Sequence, residues 1–171
     1  MQITKARNGK PGDHLFITPL GEAIYPHLIT PDTKFDDAGK FKTGIVLKPD
    51  DLAAARETLT GLYRDAFPDA QGEPHLPIKT RDGQTYIEAK SSYQPKMRDP
   101  ERVEIEPVMI RNGHPIRLLG VARPFKSSFV TGVALYLSAV EIHPNHEAFE
   151  AAAPDAPVPA DPDDDGAWMP F

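Results

Sequence analysis

The chain has 171 residues and no cysteine, which excludes disulfides, thiolate metal sites and thiol catalysis, and its length suits one packed domain with an appendage better than two cores. The formal net charge of −6 is unevenly spread: from Glu147 onward there are seven acids and no Lys or Arg, so that segment carries −7 and the body before it nets +1. No basic-then-apolar leader opens the chain and no stretch approaches the roughly 20 apolar residues that span a bilayer, which predicts a soluble intracellular protein without membrane contact.

Residues 8–13, Asn-Gly-Lys-Pro-Gly-Asp, read as a loop, and alternation of polar and apolar positions begins after them. Residues 21–30 and 41–48 carry the period-two pattern of half-buried strands, with Phe41, Thr43, Ile45 and Leu47 on one face and Lys42, Gly44, Val46 and Lys48 on the other. The period then changes. Leu52, Ala55, Leu59, Leu62 and Ala66 recur at helical spacing behind the acid pair Asp50-Asp51, and Pro68 closes a helix over residues 50–67. Gly61 inside it costs about 1 kcal/mol relative to alanine, so the helix leans on the rest of the fold.

Residues 68–77 are rich in Pro, Gly and charge and predict a surface loop. Strand patterns return at 85–90 and 103–110, with 91–98 exposed between them, and Asn112-Gly113 offers a tight hairpin turn. Strands follow at 116–123 and 130–142, the second so apolar that burial on both sides is expected. This count predicts an all-β fold with one helix, an OB-fold-like barrel of five to six strands over residues 1–146. After Pro144 the chain turns to Ala, Pro, Asp and Glu, a composition that cannot offset its ordering entropy, so 147–171 is predicted to be a disordered acidic tail. Trp168 and Phe171 stand at its end with no core to join.

Bases interleaved with aromatics on a barrel suit an unpaired nucleic-acid strand, because cations follow phosphates while flat rings stack on bases. Lys90, Tyr93, Lys96 and Arg98 form one such group, and Arg123, Phe125, Lys126 and Phe129 another. Tyr25 shares a strand face with His27, and Lys42 lies on the polar face of its strand. Tyr25, Tyr86 and Phe129 read equally as core rings, and the bases as solubilising loop residues; composition leaves both readings open.

Enzyme readings find little support. His143 and His146 are separated by Pro144 with no third ligand type beside them, and Asp163, Asp164 and Asp165 lack the glycine turn and later glutamate of a calcium loop. No phosphate-cradling loop or nucleophile motif is present, so neither turnover nor a cofactor is predicted.

Further elements occur in a definite order: Gly21-Glu22-Ala23-Ile24-Tyr25, the 41–49 strand leading into a helix, Ser92-Tyr93-Gln94, Pro124-Phe125-Lys126 before a Gly-containing apolar strand over 132–142, and an acidic end at Phe171. Over residues 14–143 this order resembles the bacteriophage single-stranded DNA-binding protein family of short-tailed coliphages and their relatives. The resemblance implies an OB-fold that binds single strands without sequence preference in replication, recombination and repair, in the cytoplasm of an infected bacterium, often as a homodimer. It also implies that the tail, here with Asp163, Asp164, Asp165, Trp168 and Phe171, contacts phage or host replication proteins such as polymerase or helicase-primase. The chain departs from better-known members in a shorter loop after the helix and a less acidic tail. Two other classes stay open, a β-barrel protein-interaction module and an RNA-binding barrel.

Overall fold

A computed structural model describes residues 1–6, 10, 12–35 and 37–144. The strands are β1 (Gln2–Lys5), β2 (His14–Ile17), β3 (Gly21–Asp32), β4 (Lys40–Val46), β5 (Ile78–Arg81), β6 (Gln84–Ser91), β7 (Lys96–Arg98), β8 (Glu104–Ile105), β9 (Pro115–Lys126) and β10 (Thr131–Ile142). One helix, α1 (Pro49–Ala66), joins β4 to β6 through β5. Strands β3, β4, β6, β10 and β9 pair in that order, and β9 returns to β3, which closes a five-stranded barrel. All pairs in the ring are antiparallel except β6 with β10, which meet in parallel at the single register pair Tyr136↔Lys90. This is the Greek-key order of the OB-fold, in agreement with the fold class read from the sequence.

Alternation along β9 shows why the barrel forms. Ile116, Leu118, Gly120 and Ala122 point inward and are buried, while Arg117, Leu119, Val121 and Arg123 take the outer positions. Lys48 precedes Pro49 at the first helical position, where the missing N–H costs nothing, and Leu52 N donates to Lys48 O. The helix buries Ala55, Leu59, Leu62 and Tyr63 in the same core as Ile45, Ile87, Leu118 and Val140. Ala66, expected in that stripe, is exposed, and Tyr63 takes the place one turn beyond Leu59. Burying Leu59 contributes roughly 1.5–3 kcal/mol. Among the described residues no helix is long and apolar enough to cross a membrane.

Five expectations are corrected. The chain before residue 8 forms β1, which pairs with β2. The exposed segment at 91–98 contains β7, laid parallel to β10. Residues 103–110 yield only the two-residue β8, because Pro107 has no N–H to give a ladder and Val108 N turns to Met97 Sδ. Asn112-Gly113 does turn the chain, but against β3: Tyr25 N donates to Asn112 Oδ1 and Gly113 N to Ala23 O. Strand β10 also departs from two-sided burial: Tyr136 is exposed on the outer face by alternation with buried Leu135 and Leu137, and Ser138 is exposed at a register shift between Leu137 and Ala139.

Candidate nucleic-acid interface

Where β6 and β10 meet, the barrel wall is thin. Beyond the Tyr136↔Lys90 pair the strands part, and residues 75–79 lie across the gap. His75 N donates to Thr131 O at 2.9 Å, Val133 N to His75 O at 3.0 Å, and Glu88 N to Pro77 O at 2.9 Å. Gly132 permits this crossing, because a Cβ there would lie 1.9 Å from His75 O. The result is a groove of about 450 Å³, large enough for a nucleotide-sized group. Leu76, Pro77, Val133 and Leu135 give it apolar lining, His75, Phe125 and Tyr136 supply rings, and Lys40, Lys79 and Lys90 supply cations.

The cations are held in place. Buried Glu88 takes Lys79 Nζ at 2.9 Å and Lys90 Nζ at 3.2 Å. Burial pushes its carboxyl up, but the hydrogen bond from Lys79 and the charges of Lys90, Lys79 and Lys42 outweigh that and keep it below its ordinary value. Lys40 Nζ donates to Ser92 Oγ at 2.8 Å on the same rim. Arg123 grips Asp13 with two bonds, Nε to Oδ1 at 2.6 Å and Nη2 to Oδ2 at 3.0 Å, and stands 4.9 Å over the Tyr136 ring. Those bonds lower the Asp13 carboxyl and raise the guanidinium, so the pair stays charged and the ring keeps its orientation. His75 meets Phe125 edge-on at 6.4 Å.

In an OB-fold the loops between the first and second and between the fourth and fifth barrel strands flank the oligonucleotide face. Here these are residues 33–39 and 127–130. The first carries Phe35, 81% exposed with the Lys34 ammonium 5.6 Å above its ring. The second carries Phe129, 97% exposed, at the tip of a turn in which Ser127 Oγ donates to Val130 O. Tyr93, 82% exposed, stands just past β6, with its N–H on Ser91 Oγ.

Of the residues singled out from sequence, Lys90 and Phe125 line the groove, Arg123 braces Tyr136 within it, and Lys126 is exposed at the β9 end leading to Phe129. Lys96 and Arg98 lie on β7, farther along β10, with Lys96 paired to Glu104 at 3.1 Å. Two expectations fail. Tyr25, 8% exposed, packs edge-on against Tyr86 at 5.8 Å, with a φ of +49° at an irregularity between Ile24 and His27, so its ring takes the core place that the sequence left open. His27 is buried with it. Lys42 is buried too and pairs with Asp32 at 2.5 Å. Asp163, Asp164, Asp165, Trp168 and Phe171 lie outside the described residues.

Sequence reasoning missed Phe35, Tyr136, His75, Lys40 and Lys79. Lys34-Phe35 in a loop carries the same basic-aromatic signal as Phe125-Lys126 and was legible. Tyr136 sits in a run so apolar that both faces read as buried, and alternation with Leu135 and Leu137 turns it outward. Among the described residues no cluster of three His, Cys, Asp or Glu is placed to hold a metal ion.

No protein-family model and no curated protein matches the chain. Solved structures do. The single-stranded DNA-binding protein gp2.5 of bacteriophage T7 aligns at a TM-score of 0.62 and 17% identity over 87% of this chain and 100% of that one. The C-terminally truncated single-stranded DNA-binding protein of bacteriophage Enc34 aligns at 0.59 and 19%, over 85% and 96%. The Enc34 protein in complex with single-stranded DNA aligns at 0.59 and 18%, over 84% and 96%. At these identities the likeness establishes a shared fold.

Proposed function

We propose that this chain binds single-stranded DNA without sequence preference, in the groove between β6 and β10 and against the exposed rings of the two flanking loops. The observation that carries the reading is the convergence of Lys40, Lys79 and Lys90 with Phe125 and Tyr136 on an apolar cleft, between loops tipped by Phe35 and Phe129. Cations without rings would grip any polyanion, and rings without cations any apolar ligand; together they match an unpaired strand. Support also comes from the shared fold with proteins that bind single-stranded DNA, one of them solved with it. The role is one of binding without turnover.

The finer reading is a protein that coats transient single strands in phage replication, recombination and repair, with residues 147–171 as the ligand of replication proteins. The concentration of acids ahead of Trp168 and Phe171 supports it, since a terminal ring with its carboxylate fits an apolar pocket beside a base. Anisotropy titrations of labelled single- and double-stranded DNA of one sequence, with a ribo-oligonucleotide beside them, test the main reading. Tighter binding to the DNA single strand is expected, with a log-log salt slope of about 0.7 per phosphate contacted. Equal affinity for duplex at moderate salt would falsify it.

A further inference from the structure

The outer face of β10 continues past the groove. Register sets out its rungs: Arg123 lies beside Ala134, Val121 and Lys90 flank Tyr136, and Leu119 and Lys96 flank Ala139. Next, Arg117 of β9 and Arg98 of β7 flank Glu141. Cross-strand partners share a face, so these side chains line one lane about 30 Å long from Ala134 to His143. At its far end three arginines and one histidine surround a single buried carboxylate. Arg102 Nε and Arg117 Nε each stand 3.7 Å from Glu141, and His143 Nε2 stands 2.5 Å from it. Arg98 faces the same carboxylate in register and, among the described residues, has no ion pair.

Two acids face four cations there: Glu104, the cross-strand partner of Arg98, pairs with Lys96 at 3.1 Å, and Glu141 alone cannot neutralise Arg98, Arg102 and Arg117. Arg102 and Arg117 lean on Glu141 from 3.7 Å, and Arg102 keeps nearly two thirds of its side-chain surface in solvent at 63%. The cluster therefore presents a net positive face whose donors are oriented from behind by a buried acid. Between it and the groove the rung Leu119–Ala139 bears only apolar side chains from β9 and β10, with Ser138 exposed beside it, so the lane has no acidic barrier along its centre.

We propose that a bound single strand does not end in the groove but runs on along the outer face of β10, setting phosphates on Arg98, Arg102 and Arg117. The extension rests on the groove reading above and deepens it: the groove takes bases and the far cluster takes backbone. Glu141 is a positioning residue here, holding guanidinium groups toward the lane, as Asp13 holds Arg123 at the other end.

The test compares oligonucleotides of about 4 and about 16 nucleotides, the span of OB-fold site sizes. The variant is Arg98→Gln with Arg102→Gln, which leaves Arg117 and His143 on Glu141 so that its charge is not stranded. The short strand should bind both proteins alike. For the long strand the variant's salt slope should fall by about 1.4, so its deficit against the parent shrinks about sevenfold between 50 and 200 mM salt. As the chain has no cysteine, Ser138→Cys gives a single labelling site mid-lane, and a fluorophore there should respond to the long strand. An unchanged slope, or a fluorophore indifferent to the long strand, overturns the extension while short-strand binding leaves the groove reading intact. A parent protein that binds neither strand overturns both.

Discussion

Replacing Phe129 by alanine separates a ring made for a ligand from one made for the fold. The side chain is 97% exposed, so folding removes almost none of its surface from water and its loss forfeits almost no burial energy. Stability should stay within about 0.5 kcal/mol, the usual range for a surface change. A base stacked on that ring would lose about 1–3 kcal/mol, which is roughly 5- to 150-fold in single-strand affinity. Tyr25→Ala supplies the contrast. Its ring is buried edge-on against Tyr86 and its hydroxyl reaches Asp82 at 3.4 Å, so its truncation should cost about 3–5 kcal/mol of stability. Urea denaturation and anisotropy titration on both variants decide the matter. If Phe129→Ala binds as tightly as the parent, or if it unfolds several kcal/mol more easily, the assignment of that loop to the ligand is wrong.

Gly61→Ala should raise stability by about 0.5–1 kcal/mol, because an added Cβ meets nothing within 4 Å and the helix gains a better former; a lower urea midpoint would contradict this. Glu88 has a folded-state carboxyl lowered below its ordinary value of 4.5, so its contribution is present above that pH and is lost as pH falls through the lowered value. The stability difference between the parent and Glu88→Gln should therefore shrink on acidification below about 4.5 in urea melts, and a difference independent of pH would show that the lysines do not hold the charge. Gly132→Ala should drive the segment at His75 off β10, costing about 1–3 kcal/mol. Hydrogen exchange would then speed up at the His75 and Val133 amides; unchanged protection there would mean the crossing tolerates a side chain.

Features carried by long periodic stretches were legible in the sequence. The 50–67 helix matches α1 at Pro49–Ala66 to within a residue at each end, and the 21–30, 41–48, 116–123 and 130–142 patterns match β3, β4, β9 and β10. Each is long enough for one face to be buried throughout, so the burial pattern is written in the residues. What escaped is short or out of phase. β7 and β8 have three and two residues, too few for a period, and their pairing depends on β10, which is distant in sequence. His75 joins β10 by an isolated bridge at Gly132, which leaves no pattern at all. Tyr25 sits in a register irregularity, where its pattern left core and surface readings open, and Tyr136 was hidden because the whole apolar run of its strand reads as buried on both sides.

The parallel closure of the barrel rests on one pair, Tyr136 with Lys90, and the groove opens beside it with Lys90 on one lip and Tyr136 on the other. Any ligand that touches both lips spans the seam and acts as a removable staple across it. Occupancy and closure are then thermodynamically linked, so a ligand at a hundred times its dissociation constant adds about 2.7 kcal/mol to the closed barrel. Three of the five junctions are longer antiparallel ladders and gain little from such a staple, the β3–β9 junction has two register pairs, and the seam, with one, gains most. The site therefore lies where the ring has its fewest register pairs, and filling it adds a second brace to the one that residues 75–79 already lay across the gap.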